Sequence, residues 1–441
     1  MKGIVLAGTS SGSGKTVATL VLLKALMNAG VEPQPAKIGP DFIDPGHHHA
    51  VTGKASRTLD LWLEGEEGLA RNYSRGEGEV CVVEGVMGTY DGEESSTAMV
   101  AESLDLPVAL VVDGEAGMES VAATALGFSE YASYAGRDVE IAGIIAGRTR
   151  GGKHERGIVH ALPPELEYFG RIPPRAELEI PERHLGLHMA DQFPVSDSVL
   201  TEAGEFLEVE KLLNTASEPD LTYSEEEGKE RGDGRTVAMA YDQAFNFVYP
   251  RTRERLTATE LVTFSPLEGD DVPEADSVYL PGGYPELFPE ELEVSSTMDQ
   301  LADLAESGLP IFGECGGMMA MSRDLTTTEG ETYGMAGILP AEVEMVDGLQ
   351  GLGYVEVKAR DENPNFPSDA SYRGHEFHYS RTRVNSGAEF VFDNVRGSGI
   401  DGEHDGLRRY NAVGTYGHFH PESGLFDDFM HCASQEKHPL S

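Results

Sequence analysis

Gly8-Thr9-Ser10-Ser11-Gly12-Ser13-Gly14-Lys15-Thr16 follows the apolar run Ile4-Val5-Leu6-Ala7 and leads straight into a helical stretch, Val17 to Ala29. Strand, glycine-rich loop and helix in that order make a phosphate-binding loop. The glycines let the backbone curl so that successive N–H groups converge on a polyphosphate, and the helix adds the positive end of its dipole. Thr9, Gly12, Ser13, Gly14, Lys15 and Thr16 are the expected contacts, with Lys15 on the β- and γ-phosphates and the Thr16 hydroxyl on Mg²⁺. The first glycine lies six residues before Gly14, so the loop is one residue longer than the common G-x4-G-K-[ST] form.

Outward from that loop, Gln34 to Gly39 reads as a second short strand, and it ends in Gly39-Pro40-Asp41-Phe42-Ile43-Asp44-Pro45. Two carboxylates held by prolines at the C-terminal end of a strand stand where open α/β sheets bind ligands. Asp41 and Asp44 are read as Mg²⁺ ligands or substrate-positioning groups, because a hard cation takes carboxylate oxygens. His47-His48-His49 follow, but adjacent residues do not converge on one ion, and no transition-metal site is expected. Val80-Cys81-Val82-Val83-Glu84-Gly85 is apolar on both faces, as a buried parallel strand is. Glu84 at its end is a second candidate for Mg²⁺ or its water, and Gly85 to Gly92 reads as a loop able to cover a ligand. Cys81 reads as core. Pro107 to Asp113 and Ile141 to Ala146 are further strands, with a helix from Ser120 to Tyr134 between them, and a helix from Val195 to Leu213 closes the unit. The alternation predicts a doubly wound parallel sheet over residues 1–214.

A total of 441 residues suits two domains. Residues 215–235 are acidic, glycine-containing and poor in apolar side chains, so they read as a linker, and residues 236–441 form the second domain. Lys plus Arg number 33 against 76 Asp plus Glu, a formal charge of −43 spread along the chain. Such a surface repels nucleic acid and anionic membranes and suits a halophile's cytosol, where salt screens the repulsion. Three cysteines without metal-like spacing argue against disulfides. The N-terminal residues have no export-signal character, and the expected location is cytoplasmic.

In the second half, Leu309-Pro310-Ile311-Phe312-Gly313 runs into Glu314-Cys315-Gly316-Gly317. A cysteine at a sharp strand-to-helix turn among small residues has the form of a nucleophile elbow, with the helix N-terminus favouring thiolate. The backbone N–H groups of Gly283, from Pro281-Gly282-Gly283-Tyr284-Pro285-Glu286, and of Gly316 are the candidate oxyanion donors. The base comes from Gly414-Thr415-Tyr416-Gly417-His418-Phe419-His420-Pro421-Glu422. His418 is preferred, and His420, followed by Pro421 and Glu422, is the alternative. Gly374-His375-Glu376-Phe377-His378-Tyr379-Ser380 lacks the alternation of a plain strand and is read as a substrate contact; Cys432 has no elbow and is read as incidental.

With Ile180-Pro181-Glu182-Arg183-His184-Leu185-Gly186-Leu187, these segments stand in the order in which they occur in the cobyrinic acid a,c-diamide synthase family, which the chain resembles along nearly its whole length. The N-terminal half is similar to dethiobiotin synthetase and its lengthened loop, the C-terminal half to class I glutamine amidotransferases with a flavodoxin-like fold. The resemblance implies a carbon–nitrogen ligase that uses ATP, Mg²⁺ and L-glutamine to amidate the a and c acetates of cobyrinic acid, a corrinoid, through an acyl phosphate. It implies Cys315 and its histidine for glutamine hydrolysis, Asp41, Asp44 and Glu84 for Mg²⁺ and substrate, and Lys15 with Lys37 for phosphoryl charge; Thr16, Asp41 and Glu84 are then the metal ligands. A homodimer stays open. The sister activity on nickel-sirohydrochlorin is the alternative, and a nucleotide-dependent switch with a degenerate amidotransferase domain is a further one. Two departures stand out: Gly-His-Phe-His-Pro ends the chain's last motif where the family has His-Leu-His-Phe, and Gly147 replaces an asparagine near the expected adenine site.

Overall fold

In the computed structural model, strand β1 (Lys2–Gly8) is the middle strand of a seven-stranded sheet. The order is β3-β2-β4-β1-β5-β6-β7, with β2 Pro33–Ile38, β3 Arg57–Leu59, β4 Val80–Glu84, β5 Val108–Asp113, β6 Ile141–Gly147 and β7 Glu167–Arg171, and every pairing is parallel. The structure describes residues 1–115, 117–183, 186–187, 194–224, 235–256, 260–361 and 363–435. His184 and Leu185 of the polar cluster, and residues 225–234 of the expected linker, lie outside them, as does the side chain of Cys432. Among the described residues no helix is long and apolar enough to cross a membrane.

The chain divides into two compact units, Met1–Glu225 and Glu226–Ser441. In the first, alternate side chains of β1 feed two separate cores. Ile4 and Leu6 pack with Leu20, Leu23 and Leu26 of the helix Lys15–Asn28, while Val5 and Ala7 join Ala36, Leu69 and Leu110 on the other face. This two-sided burial is why the strands are apolar at every position. Leaving β1 the chain crosses one way to β2; leaving β4 it crosses the other way to β5. The crevice at that reversal, at the strands' C-terminal ends, is where the phosphate-binding loop sits.

The helix expected over Val195–Leu213 is two helices, Asp197–Gly204 and Val209–Thr215. Between them the backbone runs along β7: Arg171 N–H donates to Phe206 O at 3.1 Å, and Glu208 N–H donates to Phe169 O at 2.9 Å. Pairing with a sheet edge outweighs local helix preference there. Ser217 then exchanges backbone hydrogen bonds with Gly3, so the segment beyond the last helix lies on the first unit.

The second unit has a ten-stranded sheet. Its first five strands, Glu260–Phe264, Thr236–Ala240, Ser277–Leu280, Ile311–Glu314 and Ala412–Thr415, are parallel. Five antiparallel strands extend it: His404–Arg409, Glu389–Arg396, Gly351–Ala359, Ser371–His378 and His418–Phe419. Here too the sheet separates two cores, Ala238 and Ala240 facing one and Val237 and Met239 the other. Residues Gly374 to His378 belong to a regular strand, contrary to the expectation from their pattern. Its inward face is polar because it borders the segment that carries His418, with His375 paired opposite His418.

Candidate active sites

The phosphate-binding loop curls as its glycines allow. Gly12 and Gly14 have φ of 73° and 91°, a left-handed region costly for other residues, and a Cβ on either would point into open space. The Lys15 ammonium donates to Ser10 O at 3.1 Å and to Met87 O at 2.6 Å. Burial, and then the charge of Lys37, push its pKa down to about 8. A cation held in this way is stabilised by an anion at the mouth of the loop. Ser13 Oγ, buried in the same loop, has no hydrogen-bond partner among the described residues. The segment after Glu84 is stitched to the loop rather than hanging over it: the Thr89 N–H and hydroxyl both donate to Gly8 O at 2.9 Å.

Beside the loop, one ammonium meets three carboxylates. Lys37 Nζ lies 2.5 Å from Asp44 Oδ2, 3.0 Å from Glu84 Oε1 and 3.7 Å from Asp41 Oδ2. Burial opposes its charge, but Asp44, Glu84 and Asp41 together hold it protonated. Burial also pushes the Asp44 carboxyl up, and the charges of Asp41 and Glu84 add to this against the pull of Lys37. For Glu84 burial is outweighed by Lys37 and by a hydrogen bond from His48, which keep it well below the usual carboxylate range. The Thr16 hydroxyl donates to Glu84 Oε1 at 2.8 Å. Asp41 divides its work: Oδ1 accepts from the Ile43 and Asp44 N–H groups, fixing the turn, and Oδ2 faces Lys37.

His48 is the residue sequence reasoning missed here. Its ring is fully buried, with Nε2 at 2.8 Å from Glu84 Oε2 and Nδ1 at 2.9 Å from Ser56 Oγ. Its neighbours drew attention to metal chemistry, whereas the useful signal was spacing: Asp44 and His48 are four residues apart and share one helix face. Among the described residues no cluster of three or more His, Cys, Asp or Glu side chains is arranged as a metal site. The set still fits a phosphate-borne Mg²⁺, which takes only one or two protein carboxylates.

A cavity of about 550 Å³ opens near the ends of β5 and β6, lined by Glu115, Gly117, Met118, Arg148, Arg150, His154 and Pro174. The Arg148 guanidinium donates to the Asp113 carboxylate at its rim. A Cβ on Gly147, the residue before Arg148, would stand 3.6 Å from Ser13 O, so the end of β6 borders the phosphate-binding loop.

In the second unit Cys315 occupies φ 46°, an unusual value for a non-glycine residue, between the strand Ile311–Glu314 and the helix Gly316–Met321. The following glycines permit close approach: a Cβ on Gly316 would lie 2.9 Å from Gly283 N, and one on Gly317 only 2.0 Å from Leu280 O. The structure thus brings the Gly283 and Gly316 backbones together beside Cys315. His418 packs against the same loop, since a Cβ on Gly282 would meet its Cε1 at 2.3 Å. His420 is elsewhere, edge-on to Tyr249 at 5.0 Å between centroids, with Nδ1 accepting from Glu422 N–H, while the Glu422 carboxylate accepts from Arg251 at 3.0 Å.

The expected thiolate is not what this environment favours. Burial, then the nearby Glu286, pushes the Cys315 thiol up, and the Gly316 N–H offsets only part of that. A helix of six residues supplies little dipole against a fully buried sulfur. Burial pushes His418 down to about 3, so thiol and imidazole are both neutral at rest.

Two further buried carboxylates bind the backbone on either side of His418. Glu314 stands beside Cys315 in its motif, and Asp405 lies in no motif. His375 stacks on His418 at 4.9 Å, and His378 stacks on Tyr416 at 3.8 Å.

Residues 4–187 match the CobQ/CobB/MinD/ParA nucleotide binding domain, and residues 236–426 match the CobB/CobQ-like glutamine amidotransferase domain. Over 438 residues the chain is 56% identical to the cobyrinate a,c-diamide synthase of Haloarcula marismortui, covering 99% of this chain and 100% of that one. The enzyme of the same name from Halobacterium salinarum is 53% identical over 431 residues, 98% of this chain and 97% of that one. That of Methanothermobacter thermautotrophicus is 36% identical over 442 residues, 95% and 96% of the two chains.

Proposed function

The chain belongs to the cobyrinate a,c-diamide synthase family, and from that premise we propose that it amidates the a and c acetate carboxylates of cobyrinic acid, with ATP and glutamine, in the cytoplasm of a halophile. The observation that carries this reading is the presence in one chain of a buried cysteine elbow with its histidine and of a phosphate-binding loop beside a lysine-bridged carboxylate cluster. The first supports release of ammonia, the second activation of a carboxylate.

At the elbow, Cys315 Sγ attacks the side-chain carbonyl carbon of glutamine while its proton passes to His418. The developing oxyanion is met by the N–H groups of Gly283 and Gly316. The protonated imidazole then gives its proton to the departing nitrogen, ammonia leaves, and water hydrolyses the thioester to glutamate. His418 suits the task better than His420 because it lies against the oxyanion loop. Since both groups start neutral, the proton moves only as the new bond forms.

At the phosphate-binding loop, the macrocycle's carboxylate attacks the γ-phosphorus of ATP and ADP leaves. Ammonia then displaces phosphate from the acyl phosphate to give the amide. Lys15 and Lys37 offset the charge on the transferring group. Thr16 Oγ1, Glu84 and Asp41 would hold Mg²⁺, which would supply charge neutralisation to the phosphates. Asp44 keeps Lys37 in place, and the cavity at Arg148 and Glu115 would take the adenine.

The test is product mass at high salt with cobyrinic acid or nickel-sirohydrochlorin as substrate. Two added amides on cobyrinic acid, lost in Cys315→Ala with glutamine and restored by ammonium salts, are expected. Amidation of nickel-sirohydrochlorin alone would move the activity to that macrocycle. No amidation of either with ammonia supplied would leave only a nucleotide-dependent switch.

A further inference from the structure

The segment that presents His418 is a strand of two residues, His418–Phe419, paired on one side with Ser371–His378. So short a ladder cannot fix a histidine to the tolerance proton transfer needs. Two buried carboxylates bind its backbone instead. Asp405 Oδ1 accepts from Tyr416 N–H at 3.0 Å and Oδ2 from Gly417 N–H at 3.1 Å. Glu314 Oε1 accepts from Phe419 N–H at 2.8 Å, and its Oε2 accepts from the Tyr279 hydroxyl at 2.6 Å. The N–H groups at positions 416, 417 and 419 are therefore all taken by carboxylate oxygens, on both sides of His418. Asp405 and Glu314 are each only 2% exposed.

Burying two carboxylates is costly unless hydrogen bonds make up for the hydration they lose. We propose that Glu314 and Asp405 are positioning residues that clamp the His418 segment and so set the Cys315–His418 geometry. Glu314 is the more direct of the two. It precedes Cys315 in the chain, so one peptide unit links the nucleophile's backbone to the carboxylate that holds the base's neighbour. Neither side chain has a role in the chemistry itself. The inference rests on the reading of Cys315 and His418 as nucleophile and base.

Wild-type glutaminase turnover and its loss in Cys315→Ala establish that reading first, so the failure of one is distinguishable from the failure of the other. The clamp is then tested with Glu314→Gln and Glu314→Met in the full chain. Glutamine keeps an oxygen for Phe419 N–H and offers an N–H to the Tyr279 oxygen; methionine keeps the bulk and neither bond. The expected result for Glu314→Met is a fall of about 10- to 100-fold in glutaminase kcat, with the KM for glutamine within about twofold. Ammonia-supported amidation is expected to be retained, and Glu314→Gln to recover most of the turnover. Asp405→Asn, which loses the acceptor for Gly417 N–H, is expected to fall between them. Equal turnover in Glu314→Met and wild type would overturn the clamp. So would a KM rise with kcat unchanged, or Glu314→Gln being as impaired as Glu314→Met. If Glu314→Met does not fold, the Glu314→Gln and Asp405→Asn pair decides: both at wild-type kcat would overturn the proposal.

Discussion

Gly282→Ala separates a positioned histidine from a merely nearby one. Gly282 has no left-handed φ, so alanine is compatible with its backbone. Its Cβ, however, would stand 2.3 Å from His418 Cε1 and 2.9 Å from Nδ1. Ordinary contact is about 3.4–4 Å between such carbons, so the ring must retreat by roughly 1 Å or more. The backbone on either side of the ring is held by Asp405 and Glu314, and the stacked His375 limits rotation. The displacement therefore falls on the imidazole ring itself, and a shift of about 1 Å in a reacting group costs about 100-fold. The assay is glutaminase kcat beside ammonia-supported amidation in one preparation, the second serving as a measure of intact protein. Turnover within about threefold of wild type would refute the placement of His418 as base, since no base in transfer distance survives that movement. Gly283→Ala is a poor substitute, because its Cβ would meet Ala244 O at 2.0 Å and φ there is 157°; loss of activity would report a broken backbone.

Alkylation of Cys315 by iodoacetamide, followed by mass spectrometry of its peptide, is expected to quicken steadily from pH 6 to pH 9, because burial pushes the thiol up and His418 down to about 3. A plateau already reached below pH 7 would mean a preformed thiolate–imidazolium pair. His48→Ala removes the partner of Glu84 Oε2 and is expected to lower ammonia-supported amidation about 10- to 100-fold and weaken nucleotide binding, as losses behind a ligand do, while glutaminase turnover stays unchanged. Unaltered nucleotide affinity by calorimetry would count against that role. With a formal charge of −43, the melting temperature is expected to climb by about 10 °C or more between 0.1 and 2 M KCl, chiefly in the first molar; a flat or falling curve by calorimetry would contradict screening as the source of stability.

What could be read from the sequence was what local chemistry dictates. The loop Gly8–Thr16 needs its glycines wherever it occurs, and a strand buried on both faces has few ways to be written other than Val80-Cys81-Val82-Val83. The strand-to-helix turn at Cys315 was legible for the same reason, since Gly316 and Gly317 have a purpose only if a backbone passes close by. What escaped depends on partners distant in sequence. The break between the helices Asp197–Gly204 and Val209–Thr215 is set by β7, through bonds that join residues 35 and 39 apart in sequence. The polar face of Ser371–His378 makes sense only once His418 lies beside it. His48 and Asp405 act through Glu84 and through the backbone at Tyr416 and Gly417, and neither carries a pattern of its own. Glu314 was in plain view next to Cys315, but a carboxylate that binds a backbone N–H 105 residues away leaves no local sign.

The acidic surface and the acidic interior follow different physics, and this explains why the buried carboxylates are so fully engaged. Outside, repulsion between like charges is screened over a few ångströms at molar salt, so an exposed Asp or Glu is inexpensive. Inside, no counterion enters, and each carboxylate must be satisfied by the chain itself. Both units do so, with different donors. Around the phosphate-binding loop the donors to Asp44 and Glu84 are the side chains of Lys37, His48 and Thr16. Around His418 the donors are chiefly backbone N–H groups and one tyrosine hydroxyl, neutral partners that position without attracting an ion. A carboxylate held by side-chain cations lies where phosphate chemistry is proposed, and one held by the backbone lies where only geometry is needed. In this chain the kind of donor on a buried acid tells more about its task than the acid does.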